Sequence, residues 1–138
     1  MKSHYINREA EITLEVPFHD IDILGIAWHG HYYKYFELAR TALYRSCDFD
    51  VHEMHQSGYI FPVIESQCRY VQPLKYGQRV LVNATIKESL SYIKIAYIAT
   101  DAKSGERMAY GHTKQAVCTP DGGMLMAIPD EVIDAISG

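Results

Sequence analysis

The sequence predicts an α+β fold, an antiparallel sheet with one long helix laid on a single face. Three observations predict it. Stretches that alternate apolar and polar residues recur along the chain, beginning with Ile12, Leu14 and Val16 against Glu11, Thr13 and Glu15, the period of a half-buried strand. One long segment, residues 31–47, instead repeats its apolar residues at helical spacings. Short clusters rich in Pro, Gly, Asp and Ser separate the later strands, and tight turns join antiparallel neighbours. At 138 residues a single domain, 1–138, is expected, because that length fills one core and not two.

Taken in order, residues 1–10 read as a polar lead-in. Residues 11–18 form the first strand, closed near Pro17. Residues 19–30 make a loop too long for a simple connection, a length that usually carries function. In the helix that follows, Tyr32, Tyr35, Phe36, Ala39, Leu43 and Cys47 make a wide aromatic face, with Lys34, Glu37, Arg40 and Arg45 between them. No Ser, Thr, Asp or Asn caps its start, and Gly30 is the best N-cap. Its first N–H groups are then either hydrated or left for a ligand oxygen. Residues 49–58 form a short helix or turn stopped by Gly58. Strands follow at 60–71, 78–88, 92–100 and 107–118, with turns at 73–77, 88–91 and 101–105. Asp121-Gly122-Gly123 ends the last strand, and 129–136 is a short helix with Pro129 in its first turn. Such a sheet has open edges and an uncovered face, so a homodimer that continues the sheet or covers the helix is expected.

A net charge of -4 argues against nucleic acid as a partner, since such binders carry a basic balance or stripe. Cys47, Cys68 and Cys118 are odd in number and lack metal-type spacing, as for reduced thiols in the cytoplasm. No apolar run reaches signal-peptide or membrane-spanning length, so a cytoplasmic protein without a membrane span is expected.

The chemistry concentrates in residues 18–40, where His19, Asp20, Asp22, Gly25, His29 and His31 lead directly into the helix. A carboxylate beside an uncapped helix start can pair a general base or a nucleophile with N–H donors for an oxyanion. The plain alternative is that Asp22 only forms or caps a turn. Asp20 is either a neighbour that raises the pKa of Asp22 or a solvated turn residue, and Glu37 on the helix is the rival base. His29 could act as general acid, orient Asp22, hydrogen-bond substrate or simply pack into the loop. His19, Asp22, His29 and His31 include plausible zinc ligands, but His-x-His before a helix follows no zinc spacing. No metal and no cofactor are expected.

The run Asp20-Ile-Asp22-Ile-Leu-Gly25-Ile-Ala-Trp28-His29-Gly-His-Tyr32 resembles the D-x-D-x-x-G-x-x-x-x-x-x-Y signature of the 4-hydroxybenzoyl-CoA thioesterase family. Tyr70-x-x-Pro73-Leu-x-Tyr-Gly77 resembles its second landmark, and the resemblance extends over residues 12–117. It implies a hot-dog fold, a curved antiparallel sheet wrapped around the long helix, in dimers or tetramers with active sites at the subunit interface. It implies a thioesterase that converts an acyl-CoA or acyl-carrier-protein thioester to free acid and thiol. Asp22 then falls on the catalytic carboxylate, as general base or as nucleophile through an anhydride. His29 matches a histidine of the acyl-CoA branch, and its backbone N–H matches the donor that polarises the thioester carbonyl. His31 stands where the family carries Asn or Ser. The expected site is therefore Asp22 and His29 as catalytic residues, with Gly25, Ile26, Trp28, Gly30, Tyr32, Phe61 and Val63 around the substrate. Arg69, Lys75, Arg79, Lys87, Lys94 and Arg107 are the candidates for a basic rim. The rival functions are a hydroxyacyl-thioester dehydratase using His29 with Glu37, and a non-catalytic acyl-thioester binding protein.

Overall fold

The alternation along residues 92–100 shows how this sequence makes a sheet. Ile93, Ile95, Tyr97 and Ala99 are buried while Lys94, Ala96 and Ile98 face outward, as the two-residue side-chain period of a strand requires. The computed structural model describes residues 8–88 and 90–137. Its strands are β1 (Glu9–Glu15), β2 (Val63–Tyr70), β3 (Arg79–Glu88), β4 (Ile93–Asp101) and β5 (Arg107–Gln115). They form one five-stranded sheet in the order β1-β3-β4-β5-β2, every pair antiparallel.

The long helix α1 (His31–Ser46) buries Tyr32, Tyr35, Phe36, Ala39, Leu43 and Tyr44. It packs on β1, β3 and β4. Phe36 stacks on Tyr97 with ring centroids 4.6 Å apart, and truncating such a buried aromatic costs about 3–5 kcal/mol. The short helix α2 (Val51–Gln56) starts from Asp50, whose capping box with Glu53 satisfies its first N–H groups. The last helix, α3 (Asp130–Ser137), buries Val132, Ile133 and Ile136. Among the described residues no helix is long and apolar enough to cross a membrane. Cys47, Cys68 and Cys118 are all free, the last of them buried.

Several boundaries differ from the sequence expectation. β1 begins at Glu9, because Glu9 and Ala10 continue the ladder opposite Thr85 and Ala84. Residues 1–7 of the expected lead-in lie outside the described residues, as does Ser89 in the expected 88–91 turn. Phe18 leaves the strand: Pro17 lacks an N–H to extend the ladder, and Phe18–Asp20 turns as a single 3-10 turn. Ile60 makes only an isolated bridge to Cys118, so β2 is shorter than residues 60–71.

The larger correction concerns the turn at 73–77. A tight turn there implies that β2 and β3 are neighbours, yet β2 pairs with β5 at the far edge. The turn is instead anchored to β1, since the Gly77 N–H donates to Val16 O and the Val16 N–H donates to Gln78 O, each at 2.9 Å. Residues 71–78 therefore cross the end of the sheet.

Candidate active site

Residues 21–27 form a small hairpin that the pattern Asp-Ile-Asp-Ile-Leu-Gly makes for itself. Ile21 and Ala27 bridge antiparallel, the Asp22 N–H donates to Ile26 O at 2.9 Å and the Gly25 N–H donates to Asp22 O at 3.0 Å. Gly25 sits at φ 82, where a Cβ would be strained. The Asp22 carboxylate accepts the Leu24 N–H through Oδ1 at 2.9 Å, an Asx turn. Asp22 thus does form a turn. Its Oδ2 has no protein partner among the described residues, and the side chain lines an open cleft of about 330 Å³.

The hairpin is docked at both sides. The Ala27 N–H donates to Leu74 O at 2.8 Å in the crossing segment, and the Trp28 N–H donates to Asp20 O at 3.0 Å. Asp20 itself is only 2% exposed, so the solvated-turn reading is wrong. Its carboxylate accepts from Lys34 Nζ and from the Tyr35 hydroxyl, each at 2.6 Å. His19 Nδ1 and His31 Nε2 stand 3.3 and 3.7 Å away. Burial alone would raise this carboxyl, but hydrogen bonds from Lys34 and Tyr35 and the nearby Lys34 and His31 charges outweigh it and hold the pKa below the ordinary value. Burial, followed by the hydrogen bond to the Asp20 carboxylate and its negative charge, pushes the Tyr35 hydroxyl up. Asp20 and Asp22 therefore point apart, one clamped to α1 and the other toward the cleft.

At the helix start, Gly30 is the N-cap and no side chain caps it. The His31 and Tyr32 N–H groups are taken by Trp28 O and His29 O. Those of His29 and Gly30 have no protein acceptor among the described residues, and they lie at the positive end of the helix. The Trp28 indole lies over Gly30, so that any side chain there would collide with it. The His29 carbonyl accepts from the Tyr70 hydroxyl at 2.9 Å, and the two rings meet edge-on at 6.2 Å. Tyr32 completes the wall: its ring is 4.7 Å from that of Tyr70, and its hydroxyl accepts the Leu74 N–H at 3.2 Å. Burial raises the pKa of both phenols, so both stay protonated.

Of the residues singled out from sequence, Asp22, His29, Ile26 and Tyr32 line this one cleft. Gly25 and Gly30 shape its backbone. The Trp28 ring meets that of His29 at a tilt and that of His31 edge-on, with centroids 5.0 and 5.4 Å apart. Phe61 and Val63 lie at the other end of β2, where Phe61 packs on Phe49 and Val63 pairs with Gln115, away from the cleft. Glu37 is exposed on α1 and does not line it. No group of three or more His, Cys, Asp or Glu among the described residues is placed to hold a metal ion. Gln72 and Pro73 line the cleft although the sequence reading put neither in the site, and Tyr70, an aromatic able either to line an acyl pocket or to pack in the core, lines it too. The Tyr70-x-x-Pro73 landmark was the available signal.

Residues 16–136 match the family described as the thioesterase-like superfamily. An Aquifex aeolicus (strain VF5) protein, provisionally named an esterase, is 30% identical over 121 residues, 88% of this chain and 92% of that protein. A Bacillus subtilis (strain 168) protein, provisionally named an acyl-CoA thioesterase, is 32% identical over 75 residues, 54% of each chain. A 1,4-dihydroxy-2-naphthoyl-CoA thioesterase from Synechocystis superposes with a TM-score of 0.82 at 20% identity, over 93% of this chain and 95% of that one, a likeness of fold. The chain belongs to the thioesterase-like superfamily and is a hot-dog-fold thioester hydrolase.

Proposed function

We propose that the chain hydrolyses acyl-CoA thioesters to the free acid and coenzyme A, with Asp22 as general base or nucleophile. The observation that carries this reading is the shared cleft, lined both by Asp22, whose carboxylate keeps one oxygen without a partner among the described residues, and by His29, which leads into the uncapped start of α1. As general base, Asp22 takes a proton from water as the water oxygen bonds to the thioester carbon. As nucleophile, its oxygen bonds to that carbon and water later cleaves the anhydride. In both routes the carbonyl oxygen gains negative charge, which the His29 and Gly30 N–H groups are suited to stabilise. The C–S bond then breaks, and the thiolate leaves and takes up a proton. His29, exposed beside the cleft, is the group suited to deliver it.

Ile26, Tyr32 and Tyr70 fit the apolar wall for the acyl group. The dehydratase alternative needs a carboxylate on α1 beside His29, and Glu37 lies outside the cleft. We infer a homo-oligomer as well. β2 is a sheet edge whose Val63, Ile64 and Tyr70 are 44–50% exposed, a surface suited to pairing with a second copy.

The test is thiol release from a panel of aryl-, short- and long-chain acyl-CoAs. Wild type is expected to turn over at least one of them, and Asp22→Asn is expected to lower the rate about 10²–10⁴-fold. The asparagine keeps an oxygen for the Leu24 N–H, so folding is preserved. Equal rates for the two proteins would remove Asp22 from the mechanism.

A further inference from the structure

The His29 imidazole is exposed and has no side-chain hydrogen bond among the described residues. Two rings stand against it, the Trp28 indole at 5.0 Å and the Tyr70 phenol at 6.2 Å. A proton donor with no hydrogen bond to orient it depends on such packing for its position. The nearer ring, that of Trp28, is itself well seated. Its backbone N–H donates to Asp20 O at 3.0 Å, and its indole lies across Gly30. The indole also meets the His31 ring edge-on, and His31 Nε2 stands 3.7 Å from the buried Asp20 carboxylate. Gly30 has φ -66, a conformation open to any residue. The backbone therefore does not call for glycine there; the indole does, because it fills the space a Cβ would need. Trp28 is 48% exposed and does not line the cleft, so it is neither core nor cleft wall.

We propose that Trp28 is a positioning residue for hydrolysis: its indole, seated on Gly30 and backed by His31, holds the His29 ring where it protonates the departing thiolate. The inference rests on the reading of the neighbouring cleft as the hydrolytic site, with His29 as proton donor. As the C–S bond breaks, its electron pair goes to sulfur. An alkyl thiolate then takes the proton from the imidazolium form of His29, and the neutral ring regains one from solvent. A ring that turns about its Cα–Cβ bond is aimed at sulfur only part of the time, and misplacement of a reacting group slows the step. An aryl thiolate such as 4-nitrothiophenolate leaves without a proton, so hydrolysis of its ester does not depend on where His29 sits. That contrast separates a positioning role from a structural one.

Trp28→Leu keeps apolar bulk and removes the ring, while Trp28→Phe keeps a ring. Each is compared with wild type on the N-acetylcysteamine and S-(4-nitrophenyl) thioesters of the acid that wild type turns over fastest. For the alkyl thioester, Trp28→Leu should lower kcat about 10- to 100-fold with KM within about twofold. For the aryl thioester it should match wild type, and Trp28→Phe should restore most of the lost rate. In parallel, three-bond NMR couplings across the His29 Cα–Cβ bond should report one rotamer in wild type and an average of rotamers in Trp28→Leu. An equal loss on both thioesters overturns the proposal, as does a Trp28→Leu enzyme as fast as wild type, or Trp28→Phe as slow as Trp28→Leu. So do His29 couplings that are the same in wild type and Trp28→Leu. If wild type hydrolyses neither thioester, the hydrolytic reading fails while the couplings still decide whether Trp28 holds His29.

Discussion

Asp20→Asn tests how the reactive loop is held. The substitution keeps the shape of the side chain and removes its charge at a position 2% exposed. The carboxylate accepts two short hydrogen bonds, from Lys34 Nζ and the Tyr35 hydroxyl. Hydrogen bonds to a charged group are worth about 1.5–3 kcal/mol each. The amide oxygen can still accept from one of the two donors, and Lys34, 45% exposed, regains water when its partner is lost. The expected net loss is therefore about 2 kcal/mol at pH 7, or roughly 1 M in the urea midpoint for a domain of this size.

The pH dependence carries a sign. The folded carboxyl lies below its ordinary value of 3.8. Its stabilisation is thus complete above that value and is lost as pH falls through the folded pKa. Urea unfolding of wild type and variant at pH 7 and at successively lower pH should show a gap that closes below pH about 4. A gap under about 0.5 kcal/mol at pH 7, or one that persists unchanged into acid, would refute the reasoning.

Two further perturbations address the wall of the cleft and the edge of the sheet. Tyr70→Phe removes the hydroxyl that donates to His29 O. It should cost about 0.5–1.5 kcal/mol in stability and lower kcat/KM by less than the loss of Asp22; kinetics matching wild type in every respect would show that this contact does not position His29. Ile64→Lys puts a charge on the exposed edge strand, where Ile64 is 50% exposed. Sedimentation should show a shift toward monomer, and an unchanged oligomer would place the interface elsewhere.

The parts of the fold legible in the sequence are those where burial follows local period. α1 was readable because its buried residues, Tyr32 to Leu43, all fall on one helical stripe. β4 was readable because its inward residues alternate strictly. β2 was expected as a strand within residues 60–71, but its place in the sheet was not legible, since it is exposed along nearly its whole length and carries no inward stripe. Its place at the edge depends on pairing with β5, across some forty-five residues of sequence. The same limit explains the two aspartates. Both sit in one short motif, and only the contact with Lys34 and Tyr35 on α1 separates the buried clamp from the cleft-lining group. Phe61 and Val63 were grouped with the loop because a sequence pattern cannot say which end of a strand faces which cleft.

The strand order also bears on how the molecule comes to exist. β3, β4 and β5 form a meander of sequence neighbours, whereas β1 pairs across some seventy residues and β2 across some forty-five. Closing such loops carries an entropic cost before any contact repays it. Folding is therefore expected to nucleate in the meander, with both edge strands arriving late. Truncations at Ile95 should then slow folding in proportion to the stability lost, while truncations at Ile12 should chiefly speed unfolding; the opposite pattern would overturn this order. The hairpin bearing Asp22 follows β1, and the segment that anchors it follows β2. Hydrolytic competence would then be the last property the chain acquires, and a nascent or partly unfolded chain would be inert toward thioesters.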